Sequence, residues 1–293
     1  MIKKLEINHV NLSYKDFSAL KDIHLTLESG KIYGLIGRNG AGKTSLLSLL
    51  AAYQKASSGE ITIDGATIFE NEQAMSTLSF IHQVDYKDEY DTIPQFFELA
   101  KRYRPTFDLQ YAQELTKLFQ LPMDKPLKKL STGMQSAFNV TMGLANQTPV
   151  TIFDEAYQGM DAPTREIFYN EILEEQARNP RLFILSTHLV SEMDYLFDHV
   201  LIIDKGALIV DEAIDTLLEK GFSVTGAPTA VDQVVDGLQI LSKQQLGGTK
   251  SVMVYGQLSK EKAEEIERSG LEIGNVSLHD LFIQLTKEDQ PNV

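Results

Sequence analysis

Gly37-Arg38-Asn39-Gly40-Ala41-Gly42-Lys43-Thr44 fits the pattern G-x-x-x-x-G-K-[ST], and Ser45 follows it. Such a segment is suited to hold a polyphosphate. Its glycines let the backbone fold tightly, so that N–H groups converge on phosphate oxygens. A helix starting at the end of the loop adds the positive end of its dipole. Lys43 can reach the β- and γ-phosphates, and the Thr44 hydroxyl is a hard ligand for Mg²⁺. Further along, Thr151-Ile152-Phe153-Asp154-Glu155 is an apolar run that ends in two carboxylates. Asp154 suits Mg²⁺, directly or through water, and Glu155 suits a general base that polarises an attacking water. A lone Asp-Glu is commonly a solvated turn. A phosphate loop upstream and an apolar strand before it favour the chemical reading.

These groups need rigid elements to hold them. Residues 31–36 form a short continuous apolar run, as in a strand buried on both faces, and residues 44–52 have helical apolar spacing. The phosphate loop therefore joins a buried strand to a helix. Residues 2–14 and 22–28 alternate apolar and polar side chains as half-buried strands do, and 61–65 reads as a strand ending in a turn. From about 91 to 146 the pattern is helical, broken by Pro94, Pro105, Pro122 and Pro126. Buried-type strands are predicted at 150–153 and 182–185, with a helix over 164–177 between them. A helix at 190–197, a strand at 200–204 and a helix at 211–220 follow. Strands alternating with helices predict an α/β fold with a largely parallel sheet, interrupted by a helical subdomain at about 86–146. In two-sided sheets of this kind ligands sit beyond the carboxyl ends of the strands, where Asp154 and Glu155 lie.

Past Gly221 a strand–helix–strand–strand–helix–strand order and a final helix at 278–286 predict a small α+β domain of ferredoxin-like type. The expected domains are therefore 1–220 and 221–293. No residue cluster in the second suggests chemistry.

Composition narrows the classes. The chain has 293 residues, 43% of them hydrophobic and 23% charged, which suits a globular protein with a sizeable core. No apolar run approaches the roughly 18 residues of a membrane span, and the start does not read as a secretory signal. With no cysteine, disulfides, thiolate catalysis and Cys-type zinc sites are excluded. The six histidines include no His-x-x-x-His pair. A formal charge of −14 argues against a nucleic-acid partner.

A phosphate loop alone fits kinases, GTPases and many ATPases. The remaining motifs resemble those of the ABC (ATP-binding cassette) ATPases over roughly residues 1–220. Leu130-Ser131-Thr132-Gly133-Met134-Gln135 resembles the family's signature loop, usually Leu-Ser-Gly-Gly-Gln, and precedes the acidic strand as the family order requires. Tyr14 resembles the aromatic residue that stacks on adenine. Gln83, in Phe80-Ile81-His82-Gln83, resembles the loop glutamine that senses the metal. Asp161, in Gly159-Met160-Asp161, resembles the aspartate that crosses to a partner subunit, and His188, in Ser186-Thr187-His188, the switch histidine that bonds the γ-phosphate.

The resemblance implies ATP and Mg²⁺ as ligands. The phosphate loop, Tyr14, Gln83, Asp161 and the signature loop would bind nucleotide. Thr44, Gln83 and Asp154 would hold the metal. Lys43, Glu155 and His188 would carry catalysis. It further implies a second nucleotide-binding subunit, identical or not, and separate transmembrane permease subunits, with this chain cytoplasmic on the inner face of the membrane. The sequence departs from the family pattern at Thr132 and Met134, at Ser136 and Ala137, and at Ala156-Tyr157, where proline and threonine are usual. Thr-Gly-Met variants, and a C-terminal extension ending like Ser277-Leu278-His279-Asp280-Leu281-Phe282, resemble the bacterial ABC-2 type exporters, the group of bacitracin-resistance and YtrB-like ATPases. The competing readings are a soluble, non-transport ABC ATPase and the regulatory half of a heterodimeric pair. One cassette and the acidic charge weigh against the first, and Asp154, Glu155 and His188 against the second.

Overall fold

A computed structural model describes residues 2–287. The chain divides into two units, one of residues 2–188 and 196–209, the other of residues 189–195 and 210–287.

The first unit is built on a sheet whose strands, in spatial order, are Ala207–Ala213, of which only 207–209 belong to this unit, His199–Asp204, Ile32–Ile36, Leu182–Thr187, Val150–Asp154 and Leu78–Ile81. The last five pair in parallel. Every residue of Ile32–Ile36, Val150–Asp154 and Leu182–Thr187 is buried, which explains their unbroken apolar sequences. An antiparallel sheet of Phe17–Glu28, Lys4–Tyr14, Ser58–Ile63 and Ala66–Thr67 completes the scaffold. The helix Lys43–Leu50 buries Leu46, Leu47, Leu49 and Leu50 in a core fed by both sheets.

Between Leu78–Ile81 and Val150–Asp154 the chain forms the helices Ile93–Tyr103, Leu109–Leu118 and Thr132–Ala145. Local sequence starts each one. The Thr92 N–H donates to Gln95 Oε1, Asp108 accepts from the Tyr111 N–H, and Ser131 accepts from the Met134 N–H.

The second unit has an antiparallel sheet ordered Ile240–Leu246, Thr249–Tyr255, Gly221–Gly226, Glu272–Asn275. The helices Pro228–Val234 and Lys260–Arg268 bury Val231, Val234 and Ile266 with Phe222, Val224, Val252 and Val254. Among the described residues no helix is long and apolar enough to cross a membrane.

Three elements differ from the sequence expectation. The helix expected from Asp211 begins at Ile214, because Ala207–Ala213 is a strand. Lys205 and Gly206, both at positive φ, form the two-residue turn that folds it back after His199–Asp204. The helix expected over 190–197 is one α-turn, Val190–Met193, followed by a 3-10 turn, Asp194–Leu196. Asp198 stops it there, since its backbone N–H and carboxylate are both bonded to Ile32. Leu78–Ile81 is an edge strand of only four residues, too short to show a periodicity.

Candidate active site

The phosphate loop joins Ile32–Ile36 to Lys43–Leu50, and Gly42 caps the helix at φ 115°, a conformation that disfavours any residue with a β-carbon. Arg38, Asn39 and Gly40 are exposed at the rim, while Ala41 is buried and bonded through its carbonyl to the Gly206 N–H. The Lys43 side chain is only 6% exposed. Its Nζ donates to the Gly37 carbonyl at 2.8 Å and lies 3.5 Å from Glu155 Oε1. A buried ammonium needs such partners. Thr44 and Ser45 follow on the helix and line the same cleft.

The opposite wall comes from the neighbouring strands. Val150–Asp154 and Leu182–Thr187 pair in the register Asp154↔Ser186. The Ser186 hydroxyl therefore donates to Asp154 Oδ1 and accepts from the Glu155 N–H. Glu155 takes a left-handed backbone at φ 46°, which for a residue with a side chain costs about 1–2 kcal/mol. The bend turns its carboxylate back over the loop. Oε1 meets Lys43 and lies 3.3 Å from His188 Nδ1, and Oε2 accepts from the Gln158 amide. Burial alone would raise the Glu155 pKa, but the His188 ring, the Lys43 ammonium and the Gln158 amide outweigh it and hold the carboxyl below its ordinary range. Glu155 is thus ionised near neutrality, as a base must be.

The cleft measures about 700 Å³ and is also lined by Phe17, Tyr53, Phe80, His82 and Gln83. Tyr53, Phe80 and His82 pack ring to ring, with centroids 4.9–6.0 Å apart. Tyr14 is half exposed and its hydroxyl donates to Gln54, whereas Phe17, its partner across the hairpin, lines the cleft. Phe17, Tyr53 and Gln158 are cleft residues that sequence reasoning did not single out. The signal for Phe17 was present: a two-residue turn at Lys15-Asp16 places it opposite Tyr14.

The cleft suits a hard cation bound together with phosphate. Thr44, Gln83 and Asp154 bring a hydroxyl, an amide and a carboxylate to it. Among the described residues there is no group of three or more His, Cys, Asp or Glu that could hold a metal. That donor set matches Mg²⁺, which usually takes one or two carboxylates plus substrate oxygens.

Residues 20–158, from the second strand through the acidic strand end, match the family model described as ABC transporter. The chain carries an ABC transporter domain over those residues. It is 26% identical to the ABC transporter ATP-binding protein YtrB of Bacillus subtilis, over 95% of this chain and 97% of that protein. It is 27% identical to the Nod factor export ATP-binding protein I of Cupriavidus metallidurans, over 71% of this chain and 70% of that protein. In fold it is similar to the ATP-binding cassette MJ0796, solved as a dimer in a post-hydrolysis state bound to ADP and Pi. The TM-score is 0.62 at 19% identity, over 72% of this chain and 98% of that one.

The remaining motif residues do not line this cleft, but Thr132 and Gln135 share a neighbouring pocket with Gln83. Ser131 and Met134 are exposed at the start of Thr132–Ala145. Gly133 is pressed against Gly159, the Gln135 amide donates to the Leu127 carbonyl, and the Ser136 hydroxyl donates to the Gln158 carbonyl at 2.6 Å. Thr132 also borders this seam, against Gly159. Asp161 is exposed and caps Ala162–Arg178 by accepting from the Thr164 N–H at 3.0 Å; hydrogen bonds from the Thr164 side chain and then its backbone hold the carboxyl below the usual range. The structure thus gathers the phosphate loop, Gln83, Asp154 and Glu155 around one cleft, with His188 against Glu155, and leaves Ser131, Thr132, Met134 and Asp161 exposed outside its lining.

Proposed function

We propose that this chain binds and hydrolyses ATP as the motor subunit of an ABC exporter, and that ATP closes two such cassettes head to tail. In this reading residues 1–220 are the nucleotide-binding domain and 221–293 an accessory domain. The observation that carries the proposal is the pairing of Lys43 with an ionised Glu155 in a cleft that also holds Thr44, Gln83 and Asp154.

The loop N–H groups and the start of Lys43–Leu50 bind the phosphates. Lys43 leaves Glu155 for the β- and γ-oxygens. Phe17 and Tyr53 offer aromatic faces to the base, with Tyr14 beside them at the hairpin tip. Thr44, Asp154 and Gln83 would hold Mg²⁺, whose charge neutralises the phosphate oxygens when bound. Glu155, freed from Lys43, accepts a proton from the attacking water. His188 donates a hydrogen bond to the γ-phosphate. Ser131 and Gly133 of a second cassette complete the site across the interface, with Asp161 nearby.

Because each nucleotide touches both halves only when they are closed, ATP stabilises the closed pair by linkage. Hydrolysis removes those contacts and the halves part. Transmembrane permease subunits, docked against the helical region, would convert that motion to transport, with this chain on the cytoplasmic face of the membrane. The exposure of Ser131, Met134 and Asp161 supports a facing partner, and the likeness to a protein named for Nod factor export supports the outward direction.

Glu155→Gln tests the reading. With saturating ATP and Mg²⁺ the variant should bind nucleotide, lose hydrolysis by at least about a hundredfold, and run as a dimer by light scattering. A variant that binds ATP yet stays monomeric counts against closure.

A further inference from the structure

We propose that Gln158 is a positioning residue for Glu155. Its side-chain amide keeps hold of the carboxylate at Oε2 when nucleotide draws the other partners away, so that Oε1 is left facing the attacking water. The inference rests on the reading of Glu155 as the base.

Among the described residues three side chains meet the Glu155 carboxylate. Lys43 Nζ lies 3.5 Å from Oε1, His188 Nδ1 lies 3.3 Å from the same oxygen, and the Gln158 amide donates to Oε2. The three respond differently to ATP. Lys43 is a cation on the phosphate loop, and His188 is the ring read as a donor to the γ-phosphate. Each gains a competing anion as soon as nucleotide enters. Gln158 is neutral and has less to gain from phosphate than a cation has. The last torsion of a glutamate is broad and is not fixed by rotamer preference. A carboxylate that loses its partners on Oε1 is therefore free to turn unless Oε2 is held.

Gln158 is built for that hold. An ionised carboxylate only accepts, so the NH2 end of the amide, not its carbonyl, faces Oε2. The Gln158 backbone N–H donates to the Glu155 carbonyl at 3.1 Å, closing a turn over 155–158 that brings the glutamine side chain back to the glutamate. The Gln158 backbone carbonyl accepts from the Ser136 hydroxyl at 2.6 Å, and the next residue, Gly159, is pressed against Gly133. The main chain at 158 is thus tied to the start of the Thr132–Ala145 helix, while the side chain lines the cleft. These ties are independent of Lys43 and His188, so they persist when those two turn to phosphate.

The test places Gln158→Met, which keeps the length of the side chain and removes the amide, in two backgrounds of the full chain. In the otherwise wild-type chain kcat for ATP hydrolysis should fall about tenfold or more, the scale of one lost hydrogen bond to a charged group, with KM for ATP within about twofold. In Glu155→Ala, residual hydrolysis followed over a single turnover should change by less than about twofold, because no carboxylate is left to position. Equal losses in the two backgrounds would mark a merely structural role and overturn the proposal, as would a wild-type kcat in Gln158→Met. Gln158→Leu takes its place if the methionine variant does not fold. A nitrogen-15 spectrum of the wild-type chain reads the contact without turnover. One proton of the Gln158 side-chain amide should lie downfield of the ordinary glutamine position, both before and after addition of Mg²⁺ and the β,γ-imido analogue of ATP. Loss of that shift on adding the analogue overturns the proposal. A chain that binds the analogue and keeps the shift, yet fails to hydrolyse ATP, sinks the reading of Glu155 as the base instead.

Discussion

Gly133 lies so close to Gly159 that a β-carbon on the first would fall 2.4 Å from the carbonyl oxygen of the second. The seam also works in reverse. A β-carbon on Gly159, which sits at φ 78°, would fall 2.8 Å from the Thr132 methyl group. The start of the Thr132–Ala145 helix and the loop leading to Asp161 are therefore in close backbone contact, joined further by the Ser136 hydroxyl on the Gln158 carbonyl. The glycine of a signature loop is usually considered for its approach to phosphate. In this chain its missing side chain is already required by a contact inside the same subunit.

Gly133→Ala should consequently destabilise the unliganded protein. Backbone cannot yield as a side chain can, so an overpacking cost of about 1–3 kcal/mol is expected, or a fall in melting temperature of roughly 2–12 °C for a unit of this size. Gly159→Ala adds left-handed strain of about 1–2 kcal/mol and should fall further. Calorimetry without nucleotide checks both. A wild-type melting temperature in Gly133→Ala would mean the seam opens freely.

Phe17, not Tyr14, lines the cleft wall, although the two face each other across the hairpin tip. Phe17→Ala should weaken ATP binding by roughly tenfold or more, since stacking on a base is worth about 1–3 kcal/mol. Tyr14→Ala should cost less, because its hydroxyl is held by Gln54. Titration with a fluorescent ATP analogue separates them, and a larger loss in Tyr14→Ala would reassign the base platform.

Glu171 is buried on the Ala162–Arg178 helix and accepts from the Tyr111 hydroxyl at 2.9 Å. Burial pushes its pKa up. The Tyr111 hydrogen bond pulls the other way, but Glu174 and Glu175 reinforce the rise. A carboxyl whose folded pKa exceeds its unfolded value of about 4.3 contributes stability that is complete below that value. The contribution is lost as pH climbs through the folded pKa. Glu171→Gln keeps an acceptor for Tyr111 and removes the charge. It should melt a few degrees above wild type near pH 8, about 2–4 °C per kcal/mol recovered, with the gap closing toward pH 4. A lower melting temperature at pH 8 would show that the ionised form is the favoured one.

Local sequence determined a good deal of this protein. The continuous apolar runs at 31–36, 150–153 and 182–185 identify strands covered on both faces, and the phosphate loop identifies what lies between the first of them and a helix. Caps such as Ser131, Asp108 and Asp161 act within three or four residues, so their elements can be located from the chain alone. Tertiary structure decided the rest, because it depends on register. Asp154 stands beside Ser186 only once the two parallel strands are paired in one alignment. That alignment then carries Glu155 and Tyr157 to His188, more than thirty residues away in sequence. The same reason applies to the Leu78–Ile81 strand, which exists because Val150–Asp154 offers it an edge. It applies equally to Gly133, whose need for a bare α-carbon comes from a loop that the local pattern does not mention. Periodicity encodes which face of an element is buried, whereas the pairing of particular side chains is fixed only when separate elements meet.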